Sequence, residues 1–194
     1  MENRANRKRT REEDTLIKDC IKELKKQGCN RYIIRHCILV MKISKKIVNR
    51  LQDVGVKVDE EAILRGSLLH DIGRAIENSV RHGFIGGQML REQGYGDKII
   101  KIVENHVGGG ISAQEAVKLG LPYEDFIPNS LEEKVVCLAD KFVEKNQIRP
   151  LEDTLKKFDE ILGKGNEATK RILRMKKEIE YLIRNKLELV IEKD

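Results

Sequence analysis

The 194-residue chain contains no tryptophan and only 4% aromatic residues, which excludes an interleaved set of rings on which nucleic-acid bases would stack. Long apolar runs are missing too. The longest span a few residues, such as CILVM at 37–41, far short of the roughly 20 needed to cross a bilayer. The N-terminal stretch MENRANRKRTREED is charged with no apolar segment behind it, so it does not read as a secretory signal, and a cytoplasmic protein with no membrane partner is expected. The four cysteines, at 20, 29, 37 and 137, show neither CxxC spacing nor a disulfide framework. They read as reduced thiols serving as small buried hydrophobes. Internal repeats and low-complexity segments are absent, and the one β-like piece, VGVKV at 54–58, reads as a link between helices.

What the chain has is charge and helical periodicity. Hydrophobic residues at 40% can build one core, and charged residues at 36% suit helices with strongly charged water-facing sides. The net charge of +6 is concentrated at the N-terminus, where Arg4, Arg7, Lys8, Arg9 and Arg11 stand against Glu2 alone. Such a tail can contact nucleic acid, although a solvated end is its simpler use.

The apolar positions Leu16, Ile17, Cys20, Ile21 and Leu24 share one helical face, and Gly28 supplies a stop. Asn30 caps a long second helix, and Asp59 caps a third that runs through His70–Asp71 to Gly73. Shorter helices are expected over about 84–93 and 97–106, with His82 and Gly83 in a turn before the first of them. Ser112 with Glu115, and Ser130 with Glu133, form capping boxes for helices over 113–119 and 131–145. Pro150 suits the start of a helix over 151–162, and Asn166 caps a last one to about 190. The fold class is all-α: a basic tail over 1–13, a helical-bundle domain over 14–149, and a C-terminal helical extension over 150–194. In that extension, residues 164–186 carry eight basic and three acidic side chains, and Ile172, Met175, Ile179 and Leu182 form an apolar stripe interrupted by Lys186. The stripe packs on the domain, with a homodimer contact as its other use.

Four histidines, His36, His70, His82 and His106, and two aspartates, Asp71 and Asp140, stand in apolar helical contexts. Taken singly, each histidine is an ordinary hydrogen-bonded core residue and each aspartate an ordinary cap. Taken together they are harder to dismiss, because a buried carboxylate without a compensating cation costs several kcal/mol. A bound metal ion supplies that charge. Imidazole and carboxylate donors suit iron, manganese, zinc, cobalt or nickel, and six donors exceed one tetrahedral site and suit two ions sharing a carboxylate.

The order His … His-Asp … Asp, carried by His36, His70–Asp71 and Asp140 with the core HDIG at 70–73, resembles the HD-domain superfamily. The resemblance covers about residues 30–146. His82 and His106 match its binuclear branch, which includes bacterial HD hydrolases that split diadenosine tetraphosphate. The segment HVGGGISAQEAVKLGLP looks most like a group of uncharacterised archaeal HDIG proteins. The resemblance implies one ion held by His36, His70, Asp71 and Asp140, a second held by His82, His106 and the other oxygen of Asp71, and a nucleophilic water between them. It implies Asp71 as the bridging catalytic carboxylate and Arg74 as a catalytic cation facing a substrate phosphate, with Arg81, Lys141 and Arg149 as further substrate-binding candidates. The GYP signature and adjacent histidine pair of cyclic-di-GMP phosphodiesterases are missing.

The expected function is therefore a metal-dependent phosphohydrolase acting on a nucleotide or related small phosphoester. Two alternatives share these residues: a di-iron oxygenase, since myo-inositol oxygenase uses the same ordered ligands, and a non-catalytic nucleotide sensor.

Overall fold

Thr10, Asn30, Asp59, Ser112, Ser130 and Asn166 each accept a hydrogen bond from a first-turn backbone N–H of the helix that follows, and these caps set where six helices begin. The computed structural model describes residues 10–192. Arg4, Arg7, Lys8 and Arg9 of the basic tail lie outside the described residues. The elements are α1 (Arg11–Lys26), α2 (Arg31–Asp53), α3 (Glu60–Leu69), a 3₁₀ turn (Ile72–Ala75), α4 (His82–Glu92), α5 (Asp97–Asn105), α6 (Ala113–Lys118) and α7 (Leu131–Asp140). A short hairpin follows, β1 (Val143–Glu144) and β2 (Gln147–Ile148), then α8 (Leu151–Leu162), α9 (Glu167–Ile183) and α10 (Leu187–Ile191). The fold is all-α, as expected.

Helix α2 is the axis of the bundle because it is apolar on opposite sides. Val40, Ile43, Ile47, Val48 and Leu51 enter a core shared with α7, α9 and α10, whereas Ile34, Cys37 and Met41 enter a second core shared with α1, α4 and α5. Each fully buried aliphatic side chain contributes roughly 1.5–3 kcal/mol. The ends of α2 and its neighbours can thus carry polar groups without loosening the bundle. At Gly66 of α3 a Cβ would stand 2.5 Å from Ile102 Cγ2, so glycine sets how closely α3 and α5 cross. All four cysteines are buried and unpaired. Among the described residues no helix is long and apolar enough to cross a membrane.

Several boundaries differ from the sequence-based expectations. Helix α1 opens at Arg11 on a Thr10–Glu13 capping box, inside the segment assigned to the tail. Helix α3 ends at Leu69 with His70 as its cap, and Gly73 is not its stop. Gly73 is instead the point where the 3₁₀ turn meets α4, since a Cβ there would lie 2.1 Å from the His82 carbonyl oxygen and 2.6 Å from Gly86 N. His82 is the first residue of α4 rather than part of a preceding turn. Helix α7 stops at Asp140, five residues early, because Lys145 and Asn146 adopt positive φ and turn the chain into the hairpin, pairing Val143 with Ile148 and Glu144 with Gln147. The last helix is broken at Arg184, also at positive φ, so that α10 folds back and buries Leu187, Val190 and Ile191 in the core of α2 and α7. Ile172, Met175 and Ile179 of the apolar stripe are buried in the same core, with Leu182 packed at its margin.

Candidate metal centre

The helices aim their ends at one place. His70 caps the C-terminus of α3, His106 caps that of α5, and Asp140 is the last residue of α7. His82 opens α4, and His36 lies in the second turn of α2. Three helix C-termini therefore converge, each with a partial negative charge of about half an electron that favours a cation.

The imidazoles are oriented by the backbone of their own helices. His70 Nδ1 lies 2.8 Å from Ser67 O, His82 Nδ1 2.5 Å from Ser79 O and His106 Nδ1 2.7 Å from Val103 O. Each Nδ1–H donates to a carbonyl, leaving Nε2 to face the centre, the orientation that metal-ligating histidines adopt.

The donors form two triangles. In the first, His36 Nε2 lies 3.2 Å from His70 Nε2 and 2.9 Å from Asp140 Oδ1, and His70 Nε2 lies 3.5 Å from Asp140 Oδ1. In the second, His82 Nε2 lies 3.0 Å from both His106 Nε2 and Asp71 Oδ1, and His106 Nε2 lies 3.5 Å from Asp71 Oδ1. Ligand atoms about 2.1 Å from one ion stand roughly 3.0–3.4 Å apart in octahedral or tetrahedral geometry, so both triangles are spaced for a first-row cation. Asp71 sits between them, with Oδ2 3.7 Å from His36 Nε2 and from His70 Nε2. Asp71 Oδ1 is buried yet accepts no well-directed hydrogen bond, although Arg74 Nε comes within 2.7 Å and His82 Nε2 within 3.0 Å. A buried carboxylate oxygen beside two imidazole nitrogens fits a divalent ion, and the clustered donors could hold a metal.

The electrostatics agree. Burial would raise the pKa of Asp71, but the surrounding His70, His106 and His82 outweigh it and hold the carboxyl well below the usual range. Burial is likewise outweighed at Asp140 by Lys141, His36 and His70. For His70 burial favours the neutral ring, yet Asp71 leads a set of neighbours that raise its pKa well above 6.5. His106 goes the other way: burial, reinforced by His70 and His82 and opposed by Asp71, lowers it to about 3.

Beside the triangles opens a cleft of about 530 Å³. Arg74 lines it, with Nη1 donating to Asn78 Oδ1 at 2.5 Å. Lys141 is buried and its ammonium is engaged by Asp140 Oδ2 at 2.5 Å and the His106 carbonyl at 3.2 Å. Burial would lower its pKa, but Asp140 outweighs that and raises it. The two remaining candidates stand apart. Arg81 is exposed beside Glu77, Arg149 is exposed on Gln147, and neither lines the cleft. Sequence reasoning missed other lining residues of the cleft: Lys145 of the hairpin turn, Thr154, Lys157 and Phe158 of α8, and Asn30 and Tyr32. Only the hairpin left a signal, the Asn146 that tolerates positive φ.

The HD domain family matches residues 33–144, a span that holds all six donors. An uncharacterised protein of Methanocaldococcus jannaschii is 37% identical over 159 residues, 82% of this chain and 94% of that protein. A tRNA (cytidine(56)-2'-O)-methyltransferase of Picrophilus torridus is 36% identical over 140 residues, 72% of this chain but only 40% of the methyltransferase. Among solved structures, the HD domain of the L. monocytogenes phosphodiesterase PgpH in complex with cyclic-di-AMP superposes with a TM-score of 0.51 at 13% identity, over 86% of this chain and 94% of that one, a likeness of fold. The family match spans more than half of the chain and takes in His36, His70–Asp71 and Asp140 in order: this protein belongs to the HD domain family.

Proposed function

We propose that the protein is a metal-dependent phosphohydrolase that binds two divalent ions per chain and cleaves a nucleotide or related small phosphoester. One observation carries this reading: Asp71 lies between two donor triangles of ion-ligand spacing, and Arg74 stands beside it on an open cleft. Divalent ions bound there would lower the pKa of a coordinated water and neutralise phosphoryl oxygens.

The chain's own residues do the rest. Asp71 and Asp140 stay ionised across the neutral range and so need no proton loss before accepting a cation. The Nδ1–H bonds of His70, His82 and His106 keep their rings from turning away. Lys141 fixes the Asp140 carboxylate and ties it to the backbone at His106, joining one triangle to the other. Arg74, held by Asp71 through Nε and by Asn78 through Nη1, carries its charge on the cleft beside the donors, where a phosphoryl oxygen would meet its guanidinium. Lys145 on the same cleft adds positive charge for a further phosphate of a nucleotide, while Lys157 is paired with Glu144. Cyclic-di-AMP in the L. monocytogenes neighbour is consistent with a nucleotide in a cleft of this fold.

The test pairs metal analysis with turnover. Protein purified anaerobically and loaded with manganese should carry two ions per chain and release phosphate or a mononucleotide from some member of a nucleotide panel, without oxygen. Two irons, oxygen consumption and no phosphoester cleavage would overturn the hydrolase in favour of an oxygenase. Saturable nucleotide binding with no turnover under any metal would overturn it in favour of a sensor.

A further inference from the structure

The three consecutive glycines after His106 are built into the protein by a residue far along the chain. Gly108 and Gly110 both have positive φ, and Gly110 N–H donates to the Val107 carbonyl, so 107–110 is a tight turn at the end of α5. Arg171 of α9 grips it from outside. Its Nε donates to Gly109 O at 3.1 Å and its Nη2 to Gly110 O at 2.8 Å. The same Nη2 lies 2.9 Å from Glu115 Oε2, and Glu115 in turn closes the capping box of α6. The guanidinium is largely buried, with 13% of the side chain exposed. Helix α9 presses on the turn directly, since a Cβ at Gly109 would stand 2.4 Å from Ala168 O and 2.9 Å from Ile172 Cγ1.

The other end of this turn is His106. The Nδ1 bond to Val103 orients the ring relative to α5, but it does not set where α5 ends. That position depends on what holds the chain beyond: the His106 carbonyl on Lys141 and, three and four residues later, the Gly109 and Gly110 carbonyls on Arg171. Ligand geometry tolerates errors of only a few tenths of an ångström, and groups that orient ligands indirectly commonly change metal affinity by ten- to a hundredfold.

We propose that Arg171 is a positioning residue for the His82–His106 half of the metal centre, so that the C-terminal extension takes part in holding the second ion. This rests on the two-ion reading above. The guanidinium engages two neighbouring carbonyls at once through Nε and Nη2, whereas lysine, a point charge, meets one at a time.

The experiment is a manganese titration of the metal-free protein by calorimetry, in the full-length wild type, Arg171→Leu, Arg171→Lys and Met175→Ala. Met175 is buried on the same helix and serves as a control for packing loss away from the turn. Wild type should bind two ions. Arg171→Leu should keep one at wild-type affinity and bind the other about ten- to a hundredfold more weakly, with Arg171→Lys between them. Met175→Ala should lose thermal stability yet bind both ions at wild-type affinity. Amide exchange in the metal-free proteins should speed up at 108–111 in both Arg171 variants and not in Met175→Ala. Both ions bound at unchanged affinity in the Arg171 variants overturns the positioning role alone. So does a second ion weakened equally in Met175→Ala, which would make the effect one of general stability. A wild type that binds fewer than two ions overturns the two-ion reading and this proposal with it. If Arg171→Leu does not fold, Arg171→Lys against Met175→Ala decides by the same criteria.

Discussion

His82 and His106 bring their Nε2 atoms within 3.0 Å of each other, while each Nδ1–H is already committed to a backbone carbonyl. The two Nε2 atoms thus face each other and Asp71 Oδ1, an arrangement that a shared cation would hold. Replacing either by alanine should therefore remove one ion. Metal analysis of manganese-loaded His82→Ala and His106→Ala should fall from two ions per chain to one, and two retained ions in either variant would sink the second site.

Metal binding should release a proton near neutral pH. His70 is held protonated by Asp71 and its other neighbours, and it must give up the Nε2 proton to become a ligand. Calorimetric titrations with manganese at pH 7, in two buffers of different ionisation enthalpy, should show release of roughly one proton per chain and an affinity that rises with pH. Identical heats in the two buffers would contradict the assignment.

The metal-free protein should be most stable near pH 6.5, as far as these two histidines decide it. His106 has its pKa lowered to about 3, so the unfolded chain binds a proton that the folded one refuses between about 6.5 and 3, and stability falls as pH drops through that window by about 1 kcal/mol per unit. His70 has its pKa raised, so its contribution is full below about 6.5 and is lost as pH rises through the folded value. Denaturant melts of the metal-free protein from pH 4 to 9 check the shape. His106→Ala should flatten the acid limb.

Arg74 should matter for turnover and not for metal content. Arg74→Ala should bind both ions and lose about a hundred- to a thousandfold in kcat, the scale for removing one donor aimed at developing charge, and Arg74→Lys should recover only part of it. Asp71→Asn, by contrast, should lose both turnover and the second ion. Metal loss in Arg74→Ala would assign Arg74 to holding Asp71 instead.

Gly73→Ala should disturb the fold and the site together. The new Cβ would meet the backbone of His82 and Gly86, which cannot yield as a side chain would, and α4 must shift and carry His82 with it. A loss of about 3 kcal/mol or more is expected in denaturant melts, with weaker binding of the second ion. Unchanged stability would show that the approach of α4 to the 3₁₀ turn is not tight.

Much of this protein is legible one residue at a time. The capping side chains Asn30, Asp59, Ser112, Ser130 and Asn166 act on backbone groups two or three positions away, so the helices they open can be read directly. The donor types can be read as well, because an imidazole or carboxylate in an apolar helical run needs a partner whatever the fold. The left-handed breaks at Lys145–Asn146 and Arg184 were less legible. Nothing in the local sequence compels positive φ there; the hairpin and α10 form because the chain beyond each break finds a place to pack.

Sequence alone determined an all-α protein with four imidazoles and two carboxylates in apolar settings, since side-chain chemistry and helix caps are local properties. Tertiary structure alone decided that His36 pairs with Asp140 across 104 positions, that His82 meets His106, and that Arg74 and Lys141, and not Arg81 or Arg149, line the cleft. It also decided that α8 lines the cleft and that Arg171 grips the glycine turn. The physical reason is direction: a residue type states what a group can bind, but where it points depends on how helices distant in sequence pack around α2.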